Sequence, residues 1–197
     1  MTHTPRRIVF ATNNLHKLDE IRSIVGDNFE ILSLKEIGCN EDIPETGSTL
    51  DENSLIKARY VRTHYGYDCF ADDTGLEVEA LSGAPGVRSA RYAPGPGHDS
   101  QANMELLLRN MADKANRRAR FRTVITLITD EGERQVEGVV EGTIARTPSG
   151  EGGFGYDPVF VPEGEQRSFA MMSAREKNAI SHRGRAVEAL LPLLNNL

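Results

Sequence analysis

The stretch FADDTGLEVEAL, residues 70–81, decides the fold, because an apolar run there meets two adjacent carboxylates. Acidic residues disfavour strands, yet Asp72 and Asp73 follow a buried-strand pattern and precede an alternation of apolar and polar residues. We therefore expect a strand that ends at the pair and then a hairpin. Since adjacent strand residues point to opposite faces, one carboxylate can enter a cleft while the other accepts backbone N–H bonds in a turn at Thr74 and Gly75.

The sequence around this stretch alternates strand and helix patterns, which is typical of an α/β domain with mixed strands, here expected to span residues 1–197. Apolar runs or alternations predict strands at residues 7–12, 29–34, 121–129 and 135–140. Apolar residues at helical spacing predict helices at residues 15–25, 48–65, 101–111 and 181–194. The expected helix caps are Asn13 or Asn14, Ser48 with Asp51, Asp99, and Ser181. Segments rich in glycine, proline or acidic residues predict loops at residues 38–47, 83–98 and 147–158.

Composition restricts the class of ligand. Hydrophobic residues make up 39% and charged residues 26% of the chain, as in ordinary globular domains, and the net charge is −6. This charge disfavours a broad contact with nucleic acid, so a polyanionic ligand needs a local cationic patch or a metal ion. No run approaches the roughly 20 apolar residues of a membrane span, and the start of the chain lacks the apolar run of a signal peptide. Cys39 and Cys69 are expected to be buried free thiols in a reducing cytoplasm.

Residues 12–17, TNNLHK, place two asparagines at a predicted helix start, where backbone N–H groups attract anions. Lys17 falls in the first turn of that helix, where a cation opposes the helix dipole. A bound phosphate would remove this conflict. Ordinary asparagine capping beside a solvated lysine is the simpler explanation of this stretch taken alone.

Residues 42–47, DIPETG, hold Glu45 between Pro44 and Gly47. A carboxylate in a rigid loop can ligate Mg²⁺, which takes one or two carboxylates together with substrate phosphate oxygens. A solvated acidic loop is the commoner explanation for a single glutamate, so this stretch alone leaves both interpretations open.

Two further segments, GGFGYDP from residue 152 and KNAISHR from residue 177, combine glycines, aromatic residues and cations. Glycines allow a backbone to approach a ligand closely, and Phe154 or Tyr156 could stack on a base. His182 and Arg183 fall in the first turn of the last predicted helix, where each cation is unfavourable by about 0.3–1 kcal/mol. Recognition of an acceptor-rich ligand explains these cations better than helix stability does, and tolerated surface residues are the alternative.

The chain resembles the inosine/xanthosine triphosphate pyrophosphatase family in seven motifs that occur in this order: TNNLHK, PETG, the lysine of SLIKAR, ADDTGL, GAPGVRSARY, GGFGYDP and ISHRGRA. The resemblance covers residues 8 to about 191. It implies a two-lobed α/β fold with a long mixed central sheet, flanking helices, a cleft between the lobes, and a homodimer. It also implies Mg²⁺-dependent hydrolysis of nonstandard purine nucleoside triphosphates (ITP, dITP and XTP) to the monophosphate and pyrophosphate, which cleanses the nucleotide pool.

The resemblance further implies a role for individual residues. Asp73 would accept a proton from the attacking water, Asp73 and Glu45 would bind the metal, and Lys57 would neutralise charge on the phosphates. The substrate-binding residues implied for the phosphates are Thr12, Asn13, Asn14, Leu15, His16 and Lys17, with Thr74 also touching substrate. Those implied for the base and sugar are Phe154, Gly155, Tyr156, Asp157, Lys177, His182 and Arg183.

Base selection follows from hydrogen-bonding groups. Inosine and xanthosine carry a 6-oxo acceptor where adenosine carries a 6-amino donor, so donors from His182, Arg183 or the backbone favour the former by about 10⁴-fold. One alternative is a related pyrophosphatase that prefers other bases, such as pyrimidines. Another is a non-catalytic nucleotide sensor or an RNA-binding module, and the net charge of −6 disfavours RNA.

Overall fold

The computed structural model describes residues 5–26 and 28–196. The helices are α1 (Leu15–Val25), α2 (Leu50–Tyr65), α3 (Ser100–Asn110), α4 (Ala174–Ile180) and α5 (His182–Asn195). The strands are β1 (Arg6–Phe10), β2 (Phe29–Leu32), β3 (Cys69–Val78), β4 (Pro85–Gly86), β5 (Arg118–Thr129), β6 (Gly132–Ile144) and β7 (Phe160–Pro162). Within these ranges no helix has the length and apolar character that crossing a membrane requires. The expectation about a signal peptide falls partly on residues 1–4, outside the described residues.

The strands form a mixed sheet with the hydrogen-bonded order β2-β1-β3-β5-β6-β7, and β4 pairs with β3. β1 is parallel to β2, with Ile8 opposite Ile31, and parallel to β3, with Phe10 opposite Phe70. β4 runs antiparallel to β3, and β7 runs antiparallel to β6. The predicted α/β class, with a long mixed sheet flanked by helices, is confirmed.

The chain divides into two compact units built from interleaved segments. The first unit comprises Met1–Asp73, Thr123–Gly138 and Arg183–Leu197, and the second comprises Thr74–Arg122 and Val139–His182. The strands β3, β5 and β6 therefore contribute residues to both units. The expectation of a single domain over residues 1–197 stays a prediction.

In the first unit, the two faces of the sheet bury separate apolar clusters. Phe70 packs on Phe10, with ring centroids 4.8 Å apart, and on apolar residues of α1 and α5. Ala71 packs against apolar residues of α2. Because neighbouring strand residues alternate between faces, Asp72 points toward α1 and α5 whereas Asp73 points toward α2.

The second unit has a core that is rich in aromatic residues. Leu76 and Val78 of β3 pack with Leu107 of α3 in a cluster that also contains Phe160 and Phe169. The Phe160 and Phe169 rings are 5.2 Å apart and tilted by 32°, which is a favourable aromatic geometry. The cluster includes Tyr156, so it extends to the glycine-rich segment that follows β6.

The structure corrects the expected end of the decisive strand. β3 continues through Thr74 and Gly75 to Val78, so the predicted turn at that point is wrong. The hairpin partner is the short strand β4, whose Gly86 lies opposite Leu76. Burial of residues on both sides of the carboxylate pair keeps the strand extended.

Other boundaries are confirmed or shifted by a few residues. Asn14 and Asp99 cap α1 and α3 as expected. The cap of α2 is Thr49 rather than Ser48, because Thr49 Oγ1 accepts the amide of Glu52. Ser181 ends an unpredicted helix, α4, and α5 begins at the next residue.

Candidate active site

The two adjacent carboxylates of β3 have different cationic neighbours. Asp72 Oδ1 lies 2.9 Å from Lys17 Nζ, and Asp72 Oδ2 lies 3.4 Å from both Nε and Nη2 of Arg183. Asp73 Oδ1 lies 3.7 Å from Lys57 Nζ. Each carboxylate is buried, at 1% and 8% exposure respectively. The strand pleat thus gives each acidic residue its own counter-ion set.

Asp72 is held in its ionised form. Burial opposes the charged state, but the nearby charges of Lys17 and Arg183 outweigh burial and hold the pKa of Asp72 well below its ordinary value. Burial also lowers the pKa of Lys17, against the attraction of Asp72. Asp72 therefore acts as a fixed negative charge between two cations.

Arg183 binds a second carboxylate, that of Glu20 on α1. Its side chain is almost fully buried, so the guanidinium is enclosed between Asp72 and Glu20 in the first unit. The sequence left two explanations for this cation, an acceptor-rich ligand or a tolerated surface position. Its burial excludes the surface position, and protein carboxylates compensate its charge, so the role in ligand recognition stays a prediction. The position of Lys17 in the first turn of α1 is explained in the same way, because its ion pair with Asp72 offsets the unfavourable interaction with the helix dipole.

The loop that was predicted to bind anions lies at the start of α1. Thr12 is buried at the end of β1, and its Oγ1 accepts the amide of Asn14 at 3.1 Å. The Asn14 side chain in turn accepts the amide of Lys17 at 3.2 Å. Exposed residues complete the loop: Asn13, Leu15 and His16. The first turn of α1 carries no acidic side chain that would repel an anion at the helix start.

Lys57 lies between the other two residues that were predicted to be catalytic or metal-binding, Glu45 and Asp73. Its Nζ lies 2.7 Å from Glu45 Oε1 and 3.7 Å from Asp73 Oδ1. Burial alone would lower the pKa of Lys57, but the charges of Asp73 and Glu45 raise it above its ordinary value. Burial raises the pKa of Asp73, partly opposed by Lys57. The cluster is therefore two carboxylates converging on one cation.

This pair of carboxylates suits a magnesium ion in its donor chemistry. In the described ranges, no three His, Cys, Asp or Glu side chains group as a metal cluster. Mg²⁺ needs only one or two carboxylates when substrate phosphates and waters complete its shell. Glu45 and Asp73 are oxygen donors that already face one positive charge, so they fit that requirement.

The loop that carries Glu45 is anchored to α2. The amide of Gly47 donates to Asn53 Oδ1 at 2.8 Å, and Asn53 is buried. A Cβ at residue 47 would lie 2.7 Å from that same oxygen, so a glycine is needed for the close approach. Sequence reasoning missed Asn53. An amide side chain early in an amphipathic helix, shortly after a glycine, is a usable signal that the helix anchors the preceding loop.

In the second unit, Asp157 organises the predicted base-binding segment. Its Oδ2 accepts the Phe154 amide at 2.9 Å and Lys177 Nζ at 2.8 Å. The Lys177 ammonium also lies 4.8 Å from the centroid of the Phe154 ring and 5.8 Å from that of Phe169. Lys177 is 5% exposed, so these cation–π contacts occur largely out of water. One carboxylate thereby fixes an aromatic loop and a buried cation together.

The glycine before Phe154 is required by this arrangement. Gly153 has φ +70°, and a Cβ there would lie 2.1 Å from Asp157 Oδ2. By contrast, Gly155 has φ +63°, and a Cβ added there would meet no atom within 4 Å. The two glycines thus differ, because Gly153 makes room for a carboxylate whereas Gly155 has a left-handed backbone with open space beside it.

Two predicted base-site residues lie in the core of the second unit. Tyr156 is 5% exposed, and its hydroxyl donates to the Ser89 carbonyl at 2.7 Å. His182 is 4% exposed and stacks on Phe121, with ring centroids 4.5 Å apart. Phe154 is half-buried, so its ring has more surface for a base than that of Tyr156.

The structure therefore groups most of the predicted residues within one unit or the other. Lys17 and Arg183 meet through Asp72, and Lys57 meets Glu45 and Asp73, in the first unit. In the second unit, Phe154, Asp157 and Lys177 form a contact group. Tyr156 bonds to the Ser89 carbonyl, and His182 stacks on Phe121. Sequence reasoning missed Glu20, because no local pattern pairs it with an arginine 163 positions away.

These features define a class, the α/β proteins with a mixed central sheet, in which strand ends and helix starts are the usual places for a ligand. Comparison with known proteins gives the family. The Ham1 family model matches residues 8–193, and the chain belongs to the Ham1 family. The resemblance based on the seven motifs is confirmed.

Curated relatives match over nearly their whole length. A dITP/XTP pyrophosphatase of Porphyromonas gingivalis is 56% identical over 95% of this chain and 97% of the relative. A dITP/XTP pyrophosphatase of Christiangramia forsetii is 53% identical over 96% of this chain and 99% of the relative. Among solved structures, a HAM1 protein of Coxiella burnetii has a TM-score of 0.88 at 40% identity and covers 98% and 100% of the two chains. The Staphylococcus aureus Ham1 protein has a TM-score of 0.87 at 35% identity, covering 97% and 99%.

Substitution of Gly153 tests the packing of the Asp157 carboxylate. We expect Gly153→Ala to lower the free energy of unfolding by about 1–3 kcal/mol more than a control, because the added methyl displaces the carboxylate. The matched control is Gly164→Ala, which has φ +84° and no neighbour within 4 Å of the added carbon. Urea denaturation of both variants measures the difference, and equal losses would show that Asp157 moves without strain.

The capping of α4, the helix that carries Lys177, predicts that the stability of the fold depends on pH. Ser173 and Glu176 form a capping box at the start of α4, and bonds from the Ser173 backbone and hydroxyl lower the pKa of Glu176 to about 2 from an ordinary 4.5. A depressed pKa means that the ionised carboxylate stabilises the fold above pH 4.5 and loses that effect as pH falls toward 2. The difference in unfolding free energy between wild type and Glu176→Gln should therefore shrink over this window. In a Ser173→Ala background the same substitution should have less effect, and an unchanged effect would contradict the capping explanation.

Proposed function

We propose that this chain is a nucleoside triphosphate pyrophosphatase that hydrolyses ITP, dITP and XTP to the monophosphate and pyrophosphate. The observation that carries the proposal is the near-full-length match, at 53% and 56% identity, to relatives named dITP/XTP pyrophosphatase. The buried lysine–carboxylate clusters supply groups suited to that reaction. Such an enzyme removes nonstandard purine nucleotides from the nucleotide pool.

The phosphates are assigned to the first unit. A triphosphate is strongly anionic and the protein carries a net charge of −6, so binding needs local positive charge. Lys17 and the amides at the start of α1 supply that charge on one face of β3, with Thr12 holding the loop. Lys57 supplies it on the other face.

The hydrolytic step is assigned to Asp73 and Lys57. Asp73 accepts the proton of the attacking water, and Lys57 stabilises negative charge that develops on the phosphates. Glu45 and Asp73 would hold Mg²⁺, which when bound polarises phosphoryl oxygens and lowers the pKa of a bound water. Since phosphoryl transfer depends mainly on positioning and charge stabilisation, these few side chains suffice.

The base and sugar are assigned to the second unit. The half-buried Phe154 ring offers a stacking surface, and Asp157 and Lys177 keep the backbone of that loop in place. Gly155 leaves room for close approach, and Thr74 and His182 complete the predicted substrate contacts. Arg183 also belongs to the proposed set, with its charge balanced by Asp72 and Glu20.

Assembly and location are further parts of the proposal. We assign the protein to the cytoplasm as a homodimer. Cys39 and Cys69 are both buried free thiols, as expected from the sequence. Buried thiols without a disulfide are typical of a reducing compartment.

Product analysis tests the reaction. Incubation with ITP, dITP or XTP and Mg²⁺ should release pyrophosphate and the nucleoside monophosphate, whereas ATP should be turned over far more slowly. Ion-exchange chromatography separates pyrophosphate from orthophosphate. Release of orthophosphate alone would show that a different bond is cleaved, and faster turnover of UTP or dTTP would favour the alternative base preference.

Two substitutions separate an enzyme from a nucleotide sensor. Asp73→Asn and Lys57→Ala should each lower kcat by about 10²-fold or more, while nucleotide binding measured by calorimetry persists. The control is Lys35→Ala, an exposed lysine in the first unit, which should stay within about twofold of wild type. Full activity of the Asp73 variant would reject Asp73 as the proton acceptor.

A further inference from the structure

Two hydroxyl groups face each other in the interior of the first unit. Ser54 Oγ of α2 lies 2.7 Å from Thr126 Oγ1 of β5, and both residues are 0% exposed. Thr126 lies on the same face of its strand as Val124 and Ile128, which are buried apolar residues. Valine has nearly the same shape as threonine and would fill this position without a polar group. The buried hydroxyl of Thr126 destabilises the fold unless it is hydrogen-bonded.

The partners close a ring of hydrogen bonds. Gln135 Nε2 lies 2.9 Å from Thr126 Oγ1 and 3.0 Å from the Asp51 carbonyl. Ser54 Oγ lies 3.0 Å from the same carbonyl. In one consistent assignment, Ser54 donates to Asp51, Thr126 donates to Ser54, and the Gln135 amide donates one proton to Thr126 and the other to Asp51. The ring therefore joins the first turn of α2 to β5 and β6 with every donor used.

The ring lies one helical turn from the proposed reaction centre. Lys57 follows Ser54 by three residues, so both side chains lie on the same face of α2. β5, which carries Thr126, is the sheet neighbour of β3, which carries Asp73. Fixing the first turn of α2 on β5 therefore fixes the position of Lys57 Nζ relative to the Asp73 carboxylate, 3.7 Å away.

We propose that Thr126 and Gln135 are positioning residues for Lys57: their hydrogen-bond ring with Ser54 and Asp51 sets the placement of α2 on the sheet, and thereby the distance between the Lys57 ammonium and the reacting phosphates. The inference rests on the proposed function, since it concerns the same catalytic lysine. Phosphoryl-transfer enzymes depend on placement, and a shift of about 1 Å can lower the rate by about 10²-fold. A valine at residue 126 would preserve the packing and remove the bond that sets that placement.

Steady-state kinetics test the ring directly. Thr126→Val should lower kcat for dITP by about tenfold with KM changed by less than about twofold, because the ring affects the transition state more than binding. Thr126→Ser, which keeps the hydroxyl, should retain at least about half of kcat. Gln135→Met lies at an exposed position and tests the ring without risk to the core; it should lower kcat by about threefold.

The matched control is Thr129→Val in the same strand. The Thr129 hydroxyl accepts the Glu131 amide at 3.2 Å, in the turn after β5 and outside the ring. This substitution should lower the melting temperature and leave kcat within about twofold. If Thr129→Val and Thr126→Val lower kcat equally, general loosening of the strand explains both and the proposal is overturned.

A double-mutant cycle identifies Lys57 as the residue through which the ring acts. In a Lys57→Met background, Thr126→Val should have no further effect on the residual kcat, because the side chain that the ring positions is already gone. An equal tenfold loss in both backgrounds, or an unchanged kcat of Thr126→Val in the native background, would overturn the proposal. Both kinetic tests require a wild-type protein that is active. If wild type is inactive toward every triphosphate tested, the proposed function is rejected instead.

Discussion

The pleat of β3 at Asp72 and Asp73 is the constraint on which the rest of the site depends. Two adjacent carboxylates could not both be buried on one side of a sheet without severe repulsion. Alternation sends them to opposite faces, where Lys17 and Arg183 meet one and Lys57 meets the other. Removing one partner of a buried ion pair costs about 3–5 kcal/mol, so each helix that supplies a cation is tied to the strand by its charge as well as by its apolar face.

The same alternation joins the core to the chemistry. Phe70 packs under α1 and α5, which are the helices that present Lys17 and Arg183 to Asp72. Ala71 packs under α2, which presents Lys57 to Asp73. Apolar burial therefore determines which helix lies on which face, and that packing determines which charged residues form ion pairs. A one-residue shift of the strand register would exchange both the apolar contacts and the ion pairs.

Local patterns in the sequence were sufficient for most elements and some of the site. The caps Asn14 and Asp99 and the strand–helix order follow from short-range chemistry, and the structure confirms them. The continuation of β3 past the carboxylates could not be predicted, because cations distant in sequence neutralise them. The bond between Arg183 and Asp72 spans 111 positions, and no local signal encodes such a pair. The Ser54–Thr126 contact, across 72 positions, was missed for the same reason.

The two lysines of the first unit to which the proposed function assigns the phosphates share one feature, which is a protein carboxylate at short range. Lys17 and Lys57 lie 2.9 and 2.7 Å from their carboxylate partners. In the proposed function, ligand binding would therefore be an exchange of partners, and its free energy would be the difference between two sets of charge-assisted hydrogen bonds. A ligand with one or two negative charges gains little from such an exchange. A triphosphate that arrives with a divalent cation offers acceptors to the lysines and a positive charge to the released carboxylates. A net-negative protein can in this way hold a polyanion without a basic surface that would attract nucleic acid.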